Sequence, residues 1–226
     1  MRPRKKTNLA PRLAACAPVV IQSPEEKKGR IREQFPSPAA PLHLELGCGK
    51  GAFICELASL HPEINFVAME KEANVAVIAT ERAMEARLPN LRFILGDAGR
   101  LSEIFLPGEV GRIYINFCDP WPKTNQKKRR LTHGNFLQLY RRVLPMGGEI
   151  HFKSDNDKLF EWSLEEIPQF GFRLSQVTRD LHADGPVGVM TDYEAKFYQQ
   201  GVTINRCVAT MVPWEAPAQP EESEEA

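Results

Sequence analysis

From residue 41 onward the chain repeatedly alternates short apolar runs with stretches of helical period, and this alternation constrains the fold more than any other feature. Runs at 42–46, 64–69, 91–95, 113–117 and 149–153 read as strands; 52–60, 72–88, 132–144 and 156–170 read as helices. Pro89-Asn90 stops the second helix, Thr132 is placed to cap the third, and Pro145 with Gly147-Gly148 ends it. Strands separated by crossover helices pair in parallel, in a sheet covered on both faces. Further runs at 172–180 and 202–212 are joined by a stretch too irregular for one crossover helix, so an antiparallel final pair is expected. The reading is α/β: a doubly wound, mostly parallel seven-stranded sheet with an antiparallel last strand, and no internal repeat.

In such a sheet ligands bind outside the carboxyl ends of the strands. Those ends carry Gly47 to Gly51, Glu70, Asp97, Asp119 and Asp155, and four of the five positions are acids. The 226 residues suffice for one such domain, assigned to 41–213, between a basic, partly disordered extension (1–40) and an acidic, disordered tail (214–226).

Composition excludes several classes. Hydrophobic residues at 42% and charged residues at 26% are ordinary for a globular chain and exclude a collagenous or membrane-spanning one. No apolar run approaches the roughly 20 residues of a membrane helix. Leu13-Ala14-Ala15-Cys16 looks superficially like a lipoprotein cleavage site, but Pro11 and Arg12 interrupt the apolar stretch such a signal requires. Cys16, Cys48, Cys55, Cys118 and Cys207 are odd in number and irregular in spacing, which supports neither a disulfide framework nor a zinc site and fits a reducing cytoplasm. The five histidines are scattered and suggest no metal.

Net charge is zero, from 29 basic and 29 acidic side chains, which at first weighs against a nucleic-acid partner. The charge is not evenly spread. Arg2, Arg4, Lys5, Lys6 and Arg12 lie at one end; Glu215, Glu221, Glu222, Glu224 and Glu225 lie at the other. Between them stands an acid-free run of Lys123, Lys127, Lys128, Arg129 and Arg130. A charge run is usually a solvated face; its neighbours change that reading here.

The loop Gly47-Cys48-Gly49-Lys50-Gly51-Ala52 joins a strand to a helix. Read as GxGxxA it passes for a dinucleotide loop; read as GxGxG it matches an S-adenosylmethionine loop. A phosphate-binding Walker loop is excluded, because Gly51 follows Lys50 and residue 44 is Leu. Glu70 suits a ribose diol, which either cofactor carries. Glu45, just before the glycines in an otherwise apolar strand, would repel a pyrophosphate but not an ammonium or sulfonium. Asp97 can accept from an adenine amino group or cap a local turn.

Asn116-Phe117-Cys118-Asp119-Pro120-Trp121-Pro122-Lys123 is the most specific signal. Two prolines fix the backbone around a tryptophan at a strand end, where an acid beside a planar ring suits recognition of a base. The basic run that follows suits phosphates.

At these residues the chain resembles the bacterial tRNA (guanine-N7)-methyltransferase family. The resemblance rests on Leu44 to Gly51, on Asp119-Pro120-Trp121-Pro122-Lys123 leading to Lys128-Arg129-Arg130-Leu131, on Phe152-Lys153-Ser154-Asp155, and on Thr191-Asp192-Tyr193-Glu194 with Phe197 and Gly201. It implies a class I, Rossmann-like methyltransferase fold and methylation of N7 of the variable-loop guanine of tRNA. It further implies S-adenosylmethionine held by Glu45, Gly47, Gly49, Gly51, Glu70, Asp97 and Asp119, with Asp119 also the catalytic residue. Lys123, Asp155, Thr191, Asp192, Tyr193 and Glu194 would hold the guanine, and Lys127, Lys128, Arg129 and Arg130 would meet RNA. The implied partner is tRNA, with no membrane and no metal, and the enzyme a monomer or homodimer. Thr124-Asn125-Gln126 departs from the denser basic run the family usually carries there.

Rival readings are an adenine or glutamine N-methyltransferase, a NAD-dependent oxidoreductase and a non-catalytic RNA-binding module. Trp121 in place of a second proline disfavours the first. Glu45 and the lack of an obvious catalytic His or Tyr-Lys pair disfavour the second. The third has no need of Glu45, the glycine loop and Glu70 together.

Overall fold

A computed structural model of the chain describes residues 8–215. Seven strands form one sheet: β1 (Leu42–Leu46), β2 (Asn65–Glu70), β3 (Leu91–Leu95), β4 (Arg112–Asn116), β5 (Glu149–Ser154), β6 (Phe172–Thr178) and β7 (Asn205–Met211). Their order is β3-β2-β1-β4-β5-β7-β6. The first five pair in parallel, and β7 runs antiparallel between β5 and β6. The sequence-based strands lie within a few residues of these.

Strand alternation divides the interior. Leu42, Leu44 and Leu46, with Val67, Met69, Ile113, Ile115, Ile150 and Phe152, face a core built with α4 (Leu101–Ile104), α5 (Gly134–Val143) and α6 (Asp157–Gln169). Phe66, Ala68, Phe93 and Tyr114 face the other way, against α2 (Ala52–Leu60) and α3 (Ala73–Glu85). β1, buried at every residue, is the centre of both layers.

Three expectations need correction. Residues 8–40 are not a separate extension: α1 (Leu9–Ala15) packs on α3, with Arg12 donating to both oxygens of Glu81 at 2.6 Å, and Ile21 N–H bonds Phe93 O at 2.8 Å. Ile21, Ile31 and Phe35 then enter the main core; anchors so irregularly spaced leave no periodic signal. Residues 1–7, where the remaining basic arm falls, lie outside the described residues, as do 216–226 of the acidic tail; Trp214, at the start of that tail, anchors it by packing against Phe170 and Arg141. Secondly, α5 is capped by His133, whose Nδ1 accepts from Asn135 N–H, while Thr132 is buried and bonded to Ser163 Oγ at 2.8 Å. Thirdly, the irregular stretch before β7 contains a helix, α7 (Asp192–Gln199). Among the described residues no helix is long and apolar enough to cross a membrane.

Candidate active site

A cleft of about 1050 Å³ opens over the carboxyl ends of β1 to β4, with α7 along its rim. Its floor is the glycine loop. Gly47 and Cys48 N–H groups both donate to Met69 O, at 2.9 and 3.1 Å, which folds the loop over the end of β2. Gly51 (φ +76°) brings α2 onto α3; a Cβ there would stand 2.7 Å from Ala79 Cβ. At Gly47 and Gly49, both with positive φ, nothing lies within 4 Å of a Cβ position, so the loop offers the cleft bare backbone. Glu70 fastens it, accepting from Gly49 N–H at 3.0 Å and from Glu72 N–H at 2.9 Å.

Glu45 is 2% exposed. Its Oε1 accepts from Asn116 Nδ2 at 3.0 Å, and its buried Oε2 has no hydrogen-bond partner among the described residues. Burial pushes its pKa up to about 7 against the opposing Asn116 bond. A buried carboxylate oxygen left bare on a ligand cleft is a socket for a cationic group. Asn116 had no assigned role in the sequence reading; its place four residues before Pro120 in the same motif was the available signal. At the far edge Asp97 accepts from Gly99 N–H at 2.8 Å and pairs with Lys71 at 2.7 Å, and these bonds, the lysine's first, lower its pKa. It therefore does cap a local turn, while still lining the cleft.

Asp119 is exposed at the mouth, in a loop with positive φ at two non-glycine residues, Phe117 (+53°) and Trp121 (+41°). Such angles persist only where surroundings enforce them, and they cluster at functional sites. Trp121 lines the cleft with Arg129 stacked on it, guanidinium to ring 4.9 Å. Lys128 and Arg129 are exposed and border the cleft; Arg130, expected to meet RNA, is buried and donates to carbonyls of the loop itself.

The Thr191 to Glu194 segment divides. Thr191, Asp192 and Tyr193 line the cleft, and Tyr193 is 66% exposed. Glu194 is fully buried: it accepts from Lys153 Nζ at 2.8 and 3.0 Å, from His182 Nε2 at 3.0 Å and from Thr191 N–H at 3.3 Å. His182 Nδ1 takes the Val187 N–H, so its proton lies on Nε2 and donates to Glu194. With Thr191 Oγ1 accepting from Glu194 N–H, this is a capping box that starts α7. The expectation that Glu194 grips the guanine thus meets a carboxylate already committed, and His182, set aside as scattered, belongs to that network. Lys123, Lys127 and Asp155 lie outside the cleft lining; Lys123 and Asp155 are exposed. The cleft therefore gathers Glu45, Gly47, Gly49, Gly51, Glu70, Asp97, Asp119, Lys128, Arg129 and Thr191 to Tyr193, and leaves out Lys123, Lys127, Arg130, Asp155 and Glu194.

A sheet of this order, with a bare glycine loop after β1 and an acid at the end of β2, is that of a class I S-adenosylmethionine-dependent methyltransferase. A solved 16S rRNA methyltransferase, KamB, superposes with TM-score 0.60 at 19% identity over 82% of this chain and 92% of its own. TrmN from Thermus thermophilus gives 0.54 at 24% identity, over 77% of this chain and 45% of its own. These likenesses carry the fold. Residues 39–207 match the family model described as "Putative methyltransferase". The tRNA (guanine-N(7)-)-methyltransferase of Lactococcus lactis subsp. cremoris (strain MG1363) is 46% identical over 216 residues, covering 94% of this chain and 99% of its own. That of Geobacillus thermodenitrificans (strain NG80-2) is 46% identical over 214 residues, with the same two coverages. The chain belongs to the tRNA (guanine-N7)-methyltransferase family.

Proposed function

We propose that this chain transfers a methyl group from S-adenosylmethionine to N7 of the variable-loop guanine of tRNA, leaving 7-methylguanosine and S-adenosylhomocysteine. The observation that carries this reading is one cleft joining three parts: an electron-rich socket at Glu45, an exposed carboxylate at Asp119, and cationic side chains at the mouth on Lys128 and Arg129. The residues fit the cofactor. Glu45 Oε2 has an unused acceptor lone pair for its ammonium, the glycine loop would admit it without side-chain obstruction, and Glu70 and Asp97, which line the same cleft, would hold its nucleoside.

When bound, the cofactor supplies a methyl group already activated on a sulfonium. Guanine N7 has a free lone pair at neutral pH, so the protein has no strong base to provide. Its residues orient the base so that the attack is in line, which contributes several kcal/mol. Asp119 holds the base edge and faces the positive charge that grows on the ring. Tyr193 and Trp121 offer ring faces at the rim, and Lys128 and Arg129 take phosphates. N7 of a guanine in tertiary pairing is reached by swinging the base out of its stack.

The test uses labelled S-adenosylmethionine and two unmodified transcripts, one with the variable-loop guanine and one with adenine in its place. Label enters the first and not the second. Equal labelling of both would contradict the assigned target.

A further inference from the structure

We infer that Arg130 is a positioning residue that clamps the Asp119 loop, while its neighbour Arg129 faces the RNA. This rests on the methyltransferase reading above.

The four cations from Lys127 to Arg130 look alike in sequence, but the chain splits the last two. Arg129 is exposed, its guanidinium over the Trp121 ring at the cleft mouth. Arg130 is 7% exposed and turns inward. Its Nε donates to Pro120 O at 3.0 Å and its Nη2 to Trp121 O at 3.1 Å, so one edge of the guanidinium spans two consecutive carbonyls of the Asp119 loop. Its face lies on Trp162 of α6, 4.5 Å from the ring centroid, and Trp162 also stacks with His133, the cap of α5. Arg130 thus ties the loop after β4 to two helices.

The loop needs such a tie. Phe117 and Trp121 hold positive φ on either side of Asp119, and Pro120 and Pro122 have no N–H with which to close a turn. A planar fork with several fixed donors satisfies two adjacent carbonyls and stacks at once. A lysine ammonium presents the same charge without that geometry. Charge alone would serve a phosphate; only the fork serves the clamp.

Wild-type chain is compared with R130K, R130A, R129A and W162L, measuring kcat at saturating tRNA, tRNA affinity against salt, and S-adenosylhomocysteine binding by calorimetry. R130K is expected to lose kcat by roughly 100-fold, the scale of a displaced catalytic group, with tRNA affinity and its salt slope unchanged. R129A is expected to shallow the log–log salt slope by about one. W162L, which removes the stacking surface while leaving Arg130, loses kcat by about tenfold. R130A regains turnover in methylguanidinium and not in methylammonium. Full activity in R130K, or a shallower salt slope in R130A, would make Arg130 a phosphate contact and overturn the clamp, as would equal rescue by both amines. Should R130K lose S-adenosylhomocysteine binding, W162L decides: normal turnover there also overturns it. Failure of the wild type to methylate tRNA would instead overturn the functional reading.

Discussion

Glu45 meets the cleft with one oxygen on Asn116 and the other bare, and burial holds its pKa at about 7 against an ordinary 4.5. In the free protein the folded state keeps a proton that the unfolded chain has released, so this residue costs stability as pH climbs from 4.5 toward 7. A bound ammonium reverses the preference by favouring the carboxylate. S-adenosylhomocysteine affinity is therefore expected to rise from roughly pH 5 to pH 7, with proton release visible as a dependence of binding heat on buffer ionisation enthalpy. Glu45→Gln should abolish that dependence; its persistence would place the titrating group elsewhere. Asp119, exposed at the mouth, has a different task. Asp119→Asn keeps shape and loses charge, and turnover is expected to fall by roughly 100-fold or more with cofactor affinity changed far less. Near-normal turnover would remove Asp119 from the reaction. Sequence reading found both acids because each breaks a local pattern. Arg130 breaks none: nothing in a run of four cations marks the one that turns inward.

At the scale of elements, the strands and crossover helices were legible because apolar periods of 2 and 3.6 alternate from residue 41 to 170. α7 was not. Its eight residues bury only Glu194, so it has no apolar face to display. Thr191-x-x-Glu194 is a helix-start signature, and reading it as a ligand motif alone hid the helix. The pair of Lys153 and Glu194 fixes α7 to the end of β5 and so places Asp192 and Tyr193 on the cleft. Removing one partner of a buried pair is costly, so Glu194→Gln is expected to lose about 3 kcal/mol in urea denaturation and to speed amide exchange over 192–199. An unchanged midpoint with unchanged exchange would show that the network does not hold the helix.

For the whole molecule, a net charge of zero hides its distribution. On the proposed reading the cations bordering the cleft would act on phosphates within about a Debye length, roughly 8 Å at physiological salt, and acids at the other end of the sequence enter the net charge without entering that sum. Neutralising Lys127, Lys128 and Arg129 together is expected to weaken tRNA binding and flatten its salt dependence, whereas deleting 216–226 leaves affinity equal or tighter. Filter binding across a salt series distinguishes these, and weaker binding after the deletion would contradict the electrostatic account. The basic N-terminus carried a second lesson. Its charge and prolines suggested a loose arm, yet Ile21, Ile31 and Phe35 enter the core, because single anchors spaced about ten and four residues apart can be buried without any period to announce them.

The proposed reaction has one product, a ring methylated at N7. That ring is labile where guanine is not: reduction with borohydride and treatment with aniline cleave the tRNA chain at 7-methylguanosine. Unmodified tRNA incubated with the chain and S-adenosylmethionine, then carried through this chemistry, is predicted to yield one cleavage at the variable-loop guanine, absent without enzyme. Methyl incorporation without cleavage there would mean another atom or another nucleotide is the acceptor, and would contradict the account.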